Sequence, residues 1–236
     1  MAGSEGEPRI QAGFALKVPP LSPDPRIAAA LERNDRYVRE FVEVFNLCPY
    51  AKRTRDSGRL HRVVLLEESV AACEALVREI GKLEAMAPET VDVALMIFPA
   101  LPTGKDACVA FEKLVATARE RMQSRHPGGD SPFYCVAFHP DFAEDLSDEH
   151  RAVRFIRRSP DPTVQLVRAS VLRAVRGSGS TDYVDVKGMS AAELLAVTAP
   201  LSVSERIGSA NLRTLEAEGP PRLRALLAGI RAHGRG

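Results

Sequence analysis

Apolar positions along the chain follow two different periods, one typical of buried strands and one typical of helices. Three short runs are almost continuously apolar: 61–66, 91–98 and 133–138. Helical repeats separate them, with one apolar stripe over 69–83 and another over 104–122. Continuous apolar strands joined by helical crossovers are typical of strands covered on both faces. The pattern therefore predicts an α/β fold with a layered, largely parallel sheet of three or more strands.

Further helical patterns extend this core at both ends. A stripe over 27–45 predicts a first helix, and Asn34 interrupts that stripe. A fourth crossover helix is predicted over 160–176, and further C-terminal helices are predicted from capping patterns and from the proline pair at 220–221. An antiparallel, ferredoxin-like sheet is the alternative, although the sequence shows no strand-to-strand hairpin for it.

Composition divides the chain into three parts. Residues 1–24 are rich in Gly, Pro and charge and have little apolar periodicity, which is typical of a disordered tail. Residues 25–176 carry the predicted strands and helices and should form the α/β core domain. Residues 177–236 begin with Gly-Ser-Gly-Ser. They are expected to form a linker, a short edge strand over 183–186 and a helical segment packed on the core.

Charge and cysteine usage narrow the class of protein. The 32 basic and 31 acidic side chains nearly cancel, so neither nucleic acid nor a membrane surface is the expected partner. No apolar run approaches the roughly 20 residues of a membrane span, and no secretion signal is visible. The four cysteines have no metal-ligand spacing. We expect a soluble cytoplasmic protein with reduced thiols, and a homo-oligomer remains open.

Several residues that could bind a ligand or take part in catalysis lie near the end of the third predicted strand. His139 follows that strand, and Arg157, Arg158 and Ser159 precede the predicted fourth helix. Ligands collect at the carboxyl ends of parallel strands, and a helix N-terminus beside a guanidinium group favours anions. We predict a phosphate or carboxylate site in which an arginine clamps, Ser159 and Thr163 donate and His139 is an acid or base. In the alternative, the arginines pair with nearby carboxylates and the histidine is structural.

Cys48 offers a second chemistry. Beside His139 it would be an activated nucleophile or redox thiol, because a neighbouring imidazole lowers a thiol pKa. In a parallel sheet, Cys48 lies before the amino end of strand one and His139 lies after the carboxyl end of strand three, so the two residues are at opposite edges of the sheet. The pair therefore requires the loop up to Arg59 to fold across, or strand three to run antiparallel to strand one. Because Cys48 precedes Pro49, and a Cys-Pro pair can bind haem iron, haem is an alternative and the cofactor is unknown.

Three sequence blocks occur in a fixed order: NLCPYAK at 46–52, Phe-His-Pro at 138–140 and RSPDPTVQLVRAS at 158–170. Together they resemble the domain-of-unknown-function 1415 family of bacterial and plant proteins, over roughly residues 30–176. The resemblance implies no stated reaction. It implies a set of shared positions: Asn46, Cys48, Pro49, Lys52, His139, Pro140, Arg158, Ser159, Pro160, Pro162, Thr163 and Arg168.

Three positions depart from the family pattern. Arg157 stands where asparagine is expected, Asp161 where an aromatic residue is commoner, and Gln165 where histidine is usual. The absence of that histidine weakens the hypothesis of a metal site or a proton relay on this segment. The combined hypothesis is a small anionic ligand, with no metal, Cys48 and His139 as catalytic groups, and a binding set of Asn46, Lys52, Arg158, Ser159, Thr163 and Arg168. The alternative is a non-catalytic ligand-, haem- or partner-binding module in which these residues are structural.

Overall fold

The computed structural model describes residues 24–48, 50–128, 131–172 and 203–235. Its elements are α1 (Pro25–Arg36), a π-helical segment (Tyr37–Glu43), α2 (Ala51–Asp56), β1 (Leu60–Val64), α3 (Ser69–Glu84), β2 (Val93–Ile97), α4 (Lys105–Ser124), β3 (Phe133–Phe138), α5 (Glu149–Ile156), β4 (Thr163–Arg168), α6 (Val203–Glu218) and α7 (Pro220–Ala232). The three predicted strands and the helices between them are confirmed. The sequence predicted neither α2 nor α5.

The four strands form one mixed sheet in the order β1-β2-β4-β3. Strands β1 and β2 are parallel, whereas β4 is antiparallel to both of its neighbours, β2 and β3. The protein is therefore an α/β protein, but the prediction of a largely parallel sheet is wrong. Three strands run in one direction and β4, inserted between two of them, runs in the other.

The incorrect sheet prediction has its origin in β4, which occupies residues 163–168 of the segment predicted as a fourth helix, whereas residues 169–172 are helical as predicted. Valines at 164, 167 and 171 fit a helical stripe, but the extended chain buries Val164 and Leu166 on one face instead. Pro160 and Pro162 precede the strand and favour extended backbone before it. Pairing with two flanking strands outweighs the weak local preference. The helix N-terminus that the predicted anion site required is consequently not present at residues 159–163.

Alternate residues of β2 contribute to two hydrophobic clusters. Ala94 and Met96 join a cluster with residues of α3 and α4, while Leu95 and Ile97 join a second cluster with α1, the π-helical segment, α5, α6 and α7. Successive strand residues point to opposite faces of a sheet. Helices therefore contribute to the burial of both faces of β2.

The C-terminal helices contact the core directly. Leu215 of α6 and Leu223 and Ile230 of α7 are fully buried in the second cluster. Between the two helices, Gly219 has a φ of 81°, a left-handed conformation that favours glycine. The expected N-terminal tail up to residue 23, the linker and the edge strand lie outside the described residues. Across the described ranges, no helix combines the length and apolar character needed to cross a membrane.

Candidate functional site

A cavity of about 270 Å³ lies against the sheet beneath α1, α5 and α6. Apolar side chains of the strands and of α5 form much of its wall: Leu60, Val93, Leu95, Phe138, Val153 and Ile156. Polar residues are fewer and come from separate elements: Asn34, Tyr37, Cys48, Tyr50, Thr54, Arg157, Ser159, Thr163, Gln165 and Asn211. A mostly apolar cavity with a few polar groups is the usual character of a small-molecule site.

Cys48 reaches this cavity because the chain turns sharply after the π-helical segment. Asn46 adopts a left-handed conformation with a φ of 50°, and the buried Leu47 anchors the turn. The N–H of Ala51 then donates to the Cys48 carbonyl at 3.1 Å as α2 begins. Burial raises the pKa of the half-buried Cys48 thiol, although backbone groups of Tyr50 and Ala51 act in the opposite direction. The sulfur is therefore a neutral thiol at neutral pH.

His139 follows β3 and is completely buried. Its backbone N–H donates to the carbonyl of Arg157 at 3.0 Å, and its Nδ1 accepts from the N–H of Asp141 at 3.2 Å. The rings of Phe111 and Phe142 lie 5.8 and 6.0 Å from the imidazole ring, measured between centroids. These contacts hold the ring in one orientation between α4 and the β3–α5 connection.

The environment of His139 favours the neutral imidazole. Burial lowers the pKa of the ring, whereas Asp141 and the backbone of Pro102 act in the opposite direction. His139 is not among the residues that line the cavity containing Cys48. The structure thus brings Cys48 together with Ser159 and Thr163 around one cavity, and His139 packs outside it.

The two neighbouring arginines have different surroundings. Arg158 donates from Nε to the Pro140 carbonyl at 3.0 Å and pairs with Glu144. Arg157 lines the cavity, and its guanidinium carbon lies 6.0 Å from the centre of the Phe138 ring. Among the residues that the structure describes, the Arg157 side chain has no hydrogen bond and no ion pair. Arg157, and not Arg158, is the cation that a ligand in the cavity would meet.

The hydroxyl groups predicted to bind the ligand are occupied by the protein itself. Ser159 Oγ and Thr163 Oγ1 both donate to the backbone carbonyl of Asp161, at 2.6 and 2.9 Å. The Asp161 carboxylate is held by Arg33 at 2.9 Å and by Arg235 at 2.6 Å. Ser159 and Thr163 therefore shape the cavity wall while fixing the turn that leads into β4.

The remaining predicted residues lie away from the cavity. Arg168 is at the opposite end of β4 from Thr163, about 17 Å along the strand. Its Nε donates to the Val91 carbonyl at 2.7 Å. Asn46 and Lys52 are exposed, and Lys52 pairs with an aspartate one turn further along α2. None of these three predicted residues lines the cavity.

Comparison with known proteins places the chain in a family. Residues 29–198, more than half of the chain, match the model described as "Protein of unknown function (DUF1415)". The chain belongs to the DUF1415 family. No curated protein and no solved structure matches the chain. Most of the cavity falls within the DUF1415 match, whereas Ile207, Gly208 and Asn211 of α6 lie beyond it.

Sequence reasoning missed several polar residues of this DUF1415 cavity. Asn34 is 2% exposed, and its Oδ1 has no hydrogen-bond partner within the described part of the chain. Gln165 and Asn211 add two further amides to the wall. The one available signal was Asn34, a polar residue in an otherwise apolar helical stripe. The described residues contain no group of three or more His, Cys, Asp or Glu side chains that could hold a metal ion.

Proposed function

We propose that the cavity binds a small monoanionic molecule with an apolar body, and that Arg157 supplies the opposite charge. The observation that supports this most is the guanidinium group of Arg157, which lines an apolar-walled cavity without an anionic partner among the described residues. A cation removed from water without a partner loses hydration that nothing replaces. A carboxylate restores that loss through two parallel hydrogen bonds to the guanidinium fork.

The charge and size of the cavity narrow the ligand class. Arg157 is the sole charged side chain among the described residues that line the cavity, so one negative charge is balanced and two are not. A volume of about 270 Å³ is just below the range of roughly 300 to 1,000 Å³ that is usual for ligand pockets. We therefore favour a small carboxylate over a phosphate dianion. The near balance of acidic and basic residues also favours a small-molecule partner over nucleic acid.

Binding without turnover is the form of this proposal that the geometry supports best. Cys48 is in the cavity, but burial raises the pKa of its thiol, and the described wall contains no histidine or carboxylate that could take its proton. Haem ligation through Cys48 would likewise need the thiolate. A catalytic role for Cys48 is the second candidate, because Cys48 and Arg157 line the same cavity.

The test is calorimetric titration of the full chain with a panel of short, apolar monocarboxylates. Arg157→Met should weaken binding by about 10- to 100-fold, because a charge-assisted pair is lost. Arg151→Met is the matched control. It removes one positive charge from the neighbouring helix α5, but Arg151 is exposed and pairs with Asp145. Unchanged affinity in Arg157→Met, or no binding by the wild-type chain, would contradict the proposal.

A further inference from the structure

A second pocket lies at the free edge of the sheet, and it is much more polar than the cavity described above. It has a volume of about 260 Å³ and is lined by residues of α4, β3 and α5. Its charged lining residues, within the described part of the chain, are three arginines and one glutamate: Arg119, Arg154, Arg157 and Glu112. The lining of this β3-edge pocket therefore has an excess of two positive charges.

The backbone of β3 adds hydrogen-bond donors to the pocket. In the sheet that the described residues form, β3 is an edge strand. Arg119 Nη2 donates to the Cys135 carbonyl at 2.8 Å, and the His139 N–H donates to the Arg157 carbonyl, so these two strand positions face away from β4. The N–H and C=O of a strand residue point to one side, and this side alternates along the strand. The N–H groups of Cys135 and Ala137, which both line the pocket, therefore point to the free edge.

The three arginines are compensated by the protein to different degrees. Arg154 forms a two-point pair with Glu112, at 2.9 and 3.2 Å. Arg119 is exposed and bonds a neutral carbonyl, while the Arg157 side chain has no hydrogen bond or ion pair among the described residues. Burial lowers the pKa of Arg157, and the nearby positive charge of Arg154 acts in the same direction. Two cations at this pocket thus lack an opposite charge from the described part of the chain.

These donors fit a phosphate group better than an added peptide strand. A strand that pairs with a sheet edge needs carbonyl acceptors as well as N–H donors, and Arg119 already occupies the Cys135 carbonyl. A phosphate monoester presents three acceptor oxygens and carries a charge of about −1.5 to −2 at pH 7. Guanidinium groups and backbone N–H groups are common phosphate donors. A carboxylate would balance only one of the two excess charges.

We infer that the β3-edge pocket binds a dianionic phosphate group, held by the guanidinium groups of Arg119 and Arg157 and by the N–H of Ala137. The phosphate is either the free ion or part of a small monoester. Arg157 lines both this pocket and the apolar cavity, whereas Arg119 lines the β3-edge pocket and not the cavity. The inference is therefore separate from the carboxylate site of the proposed function, and Arg119 is the residue that tests it.

Calorimetric titration of the full chain at fixed ionic strength tests the charge of the ligand. Methyl phosphate and methyl sulfate have the same shape, but at about pH 7.5 the first carries nearly two negative charges and the second carries one. Methyl phosphate should bind about 5- to 10-fold more tightly, because it balances the second excess cation. Equal affinities, or no binding of methyl phosphate, would overturn the inference. Inorganic phosphate then distinguishes the sources: tighter binding than methyl phosphate favours the free ion, and weaker binding favours a monoester.

Arg119→Met separates the pocket from the general charge of the surface. It should weaken methyl phosphate by about 3- to 10-fold and leave short monocarboxylates unaffected. Arg121→Met is the matched control, since Arg121 lies on the same helix, is exposed and pairs with Glu74. Equal losses in the two variants would overturn the inference. If monocarboxylates do not bind while methyl phosphate binding depends on Arg119, the proposed function fails and this inference stands.

Discussion

Arg33 is buried and Arg157 is partly buried, and the two arginines differ in whether the protein supplies an opposite charge. Arg33 is 4% exposed and forms a two-point pair with Asp161, with N–O distances of 2.9 and 3.0 Å. Arg235 adds a second cation to the same carboxylate. Arg157 has no such partner in the described residues. A matched buried charge fixes the structure, whereas an unmatched one in a cavity is available to a ligand.

The largest expected effect comes from breaking the matched site. Asp161→Asn should lower the free energy of unfolding by about 3 to 5 kcal/mol, because it leaves two arginines without their shared carboxylate. Urea unfolding of the full chain measures this. Asp56→Asn is the control, since Asp56 pairs with Lys52 at an exposed position and should change stability by less than about 1 kcal/mol. Similar stabilities for the two variants would remove the distinction between the sites.

The same substitution at the two arginines should have opposite effects on stability. Arg33→Met should destabilise the protein by several kcal/mol, because Asp161 becomes a buried anion with less compensation. Arg157→Met should stabilise the ligand-free protein by about 1 kcal/mol, because an unpaired guanidinium is replaced by an apolar side chain. Thermal unfolding without ligand measures both. Destabilisation by Arg157→Met would indicate that this arginine has a structural role instead.

The sequence predicted the strands of this fold better than it predicted their directions. β1, β2 and β3 were visible because each is a continuous apolar run. β4 was not, because its valines fit a helical stripe as well as a strand, and only its neighbours in the sheet distinguish the two. Arg33 and Asp161 are separated by 128 positions, so no local pattern could reveal that they pair.

For the candidate site too, the sequence indicated some features and not others. Of the residues predicted to bind the ligand, Ser159 and Thr163 line the cavity. The sequence did not identify which of two adjacent arginines faces that cavity. Both residues follow the end of α5 at Ile156, where the chain leaves the helix, and Arg157 lines the cavity while Arg158 bonds the Pro140 carbonyl and Glu144. Arg157 is absent from the predicted binding set and departs from the family pattern, although its side chain has no hydrogen bond or ion pair among the described residues.

His139 is a further buried basic group, and unlike the two arginines it is held in its neutral form by burial. Burial lowers the pKa of His139 below its ordinary value of 6.5, so the unfolded chain binds a proton more readily than the folded one. Stability from this group is complete above about pH 6.5 and is lost as the pH falls through the folded pKa. His139→Asn should flatten the stability profile between pH 7.5 and 5.5, as measured by urea unfolding. An unchanged slope would contradict this assignment.

The smallest expected effect concerns the rate at which Cys48 is alkylated. Burial raises the pKa of this thiol, so iodoacetamide at pH 7.5 should modify it more slowly than a free cysteine, and the rate should continue to rise above pH 9. Mass spectrometry of the labelled peptide separates Cys48 from the other three cysteines, which are buried. A bound carboxylate should slow the reaction further because both would occupy one cavity. Faster labelling than a free thiol would instead indicate a thiolate, and the unmatched charge of Arg157 would then be a candidate for stabilising it.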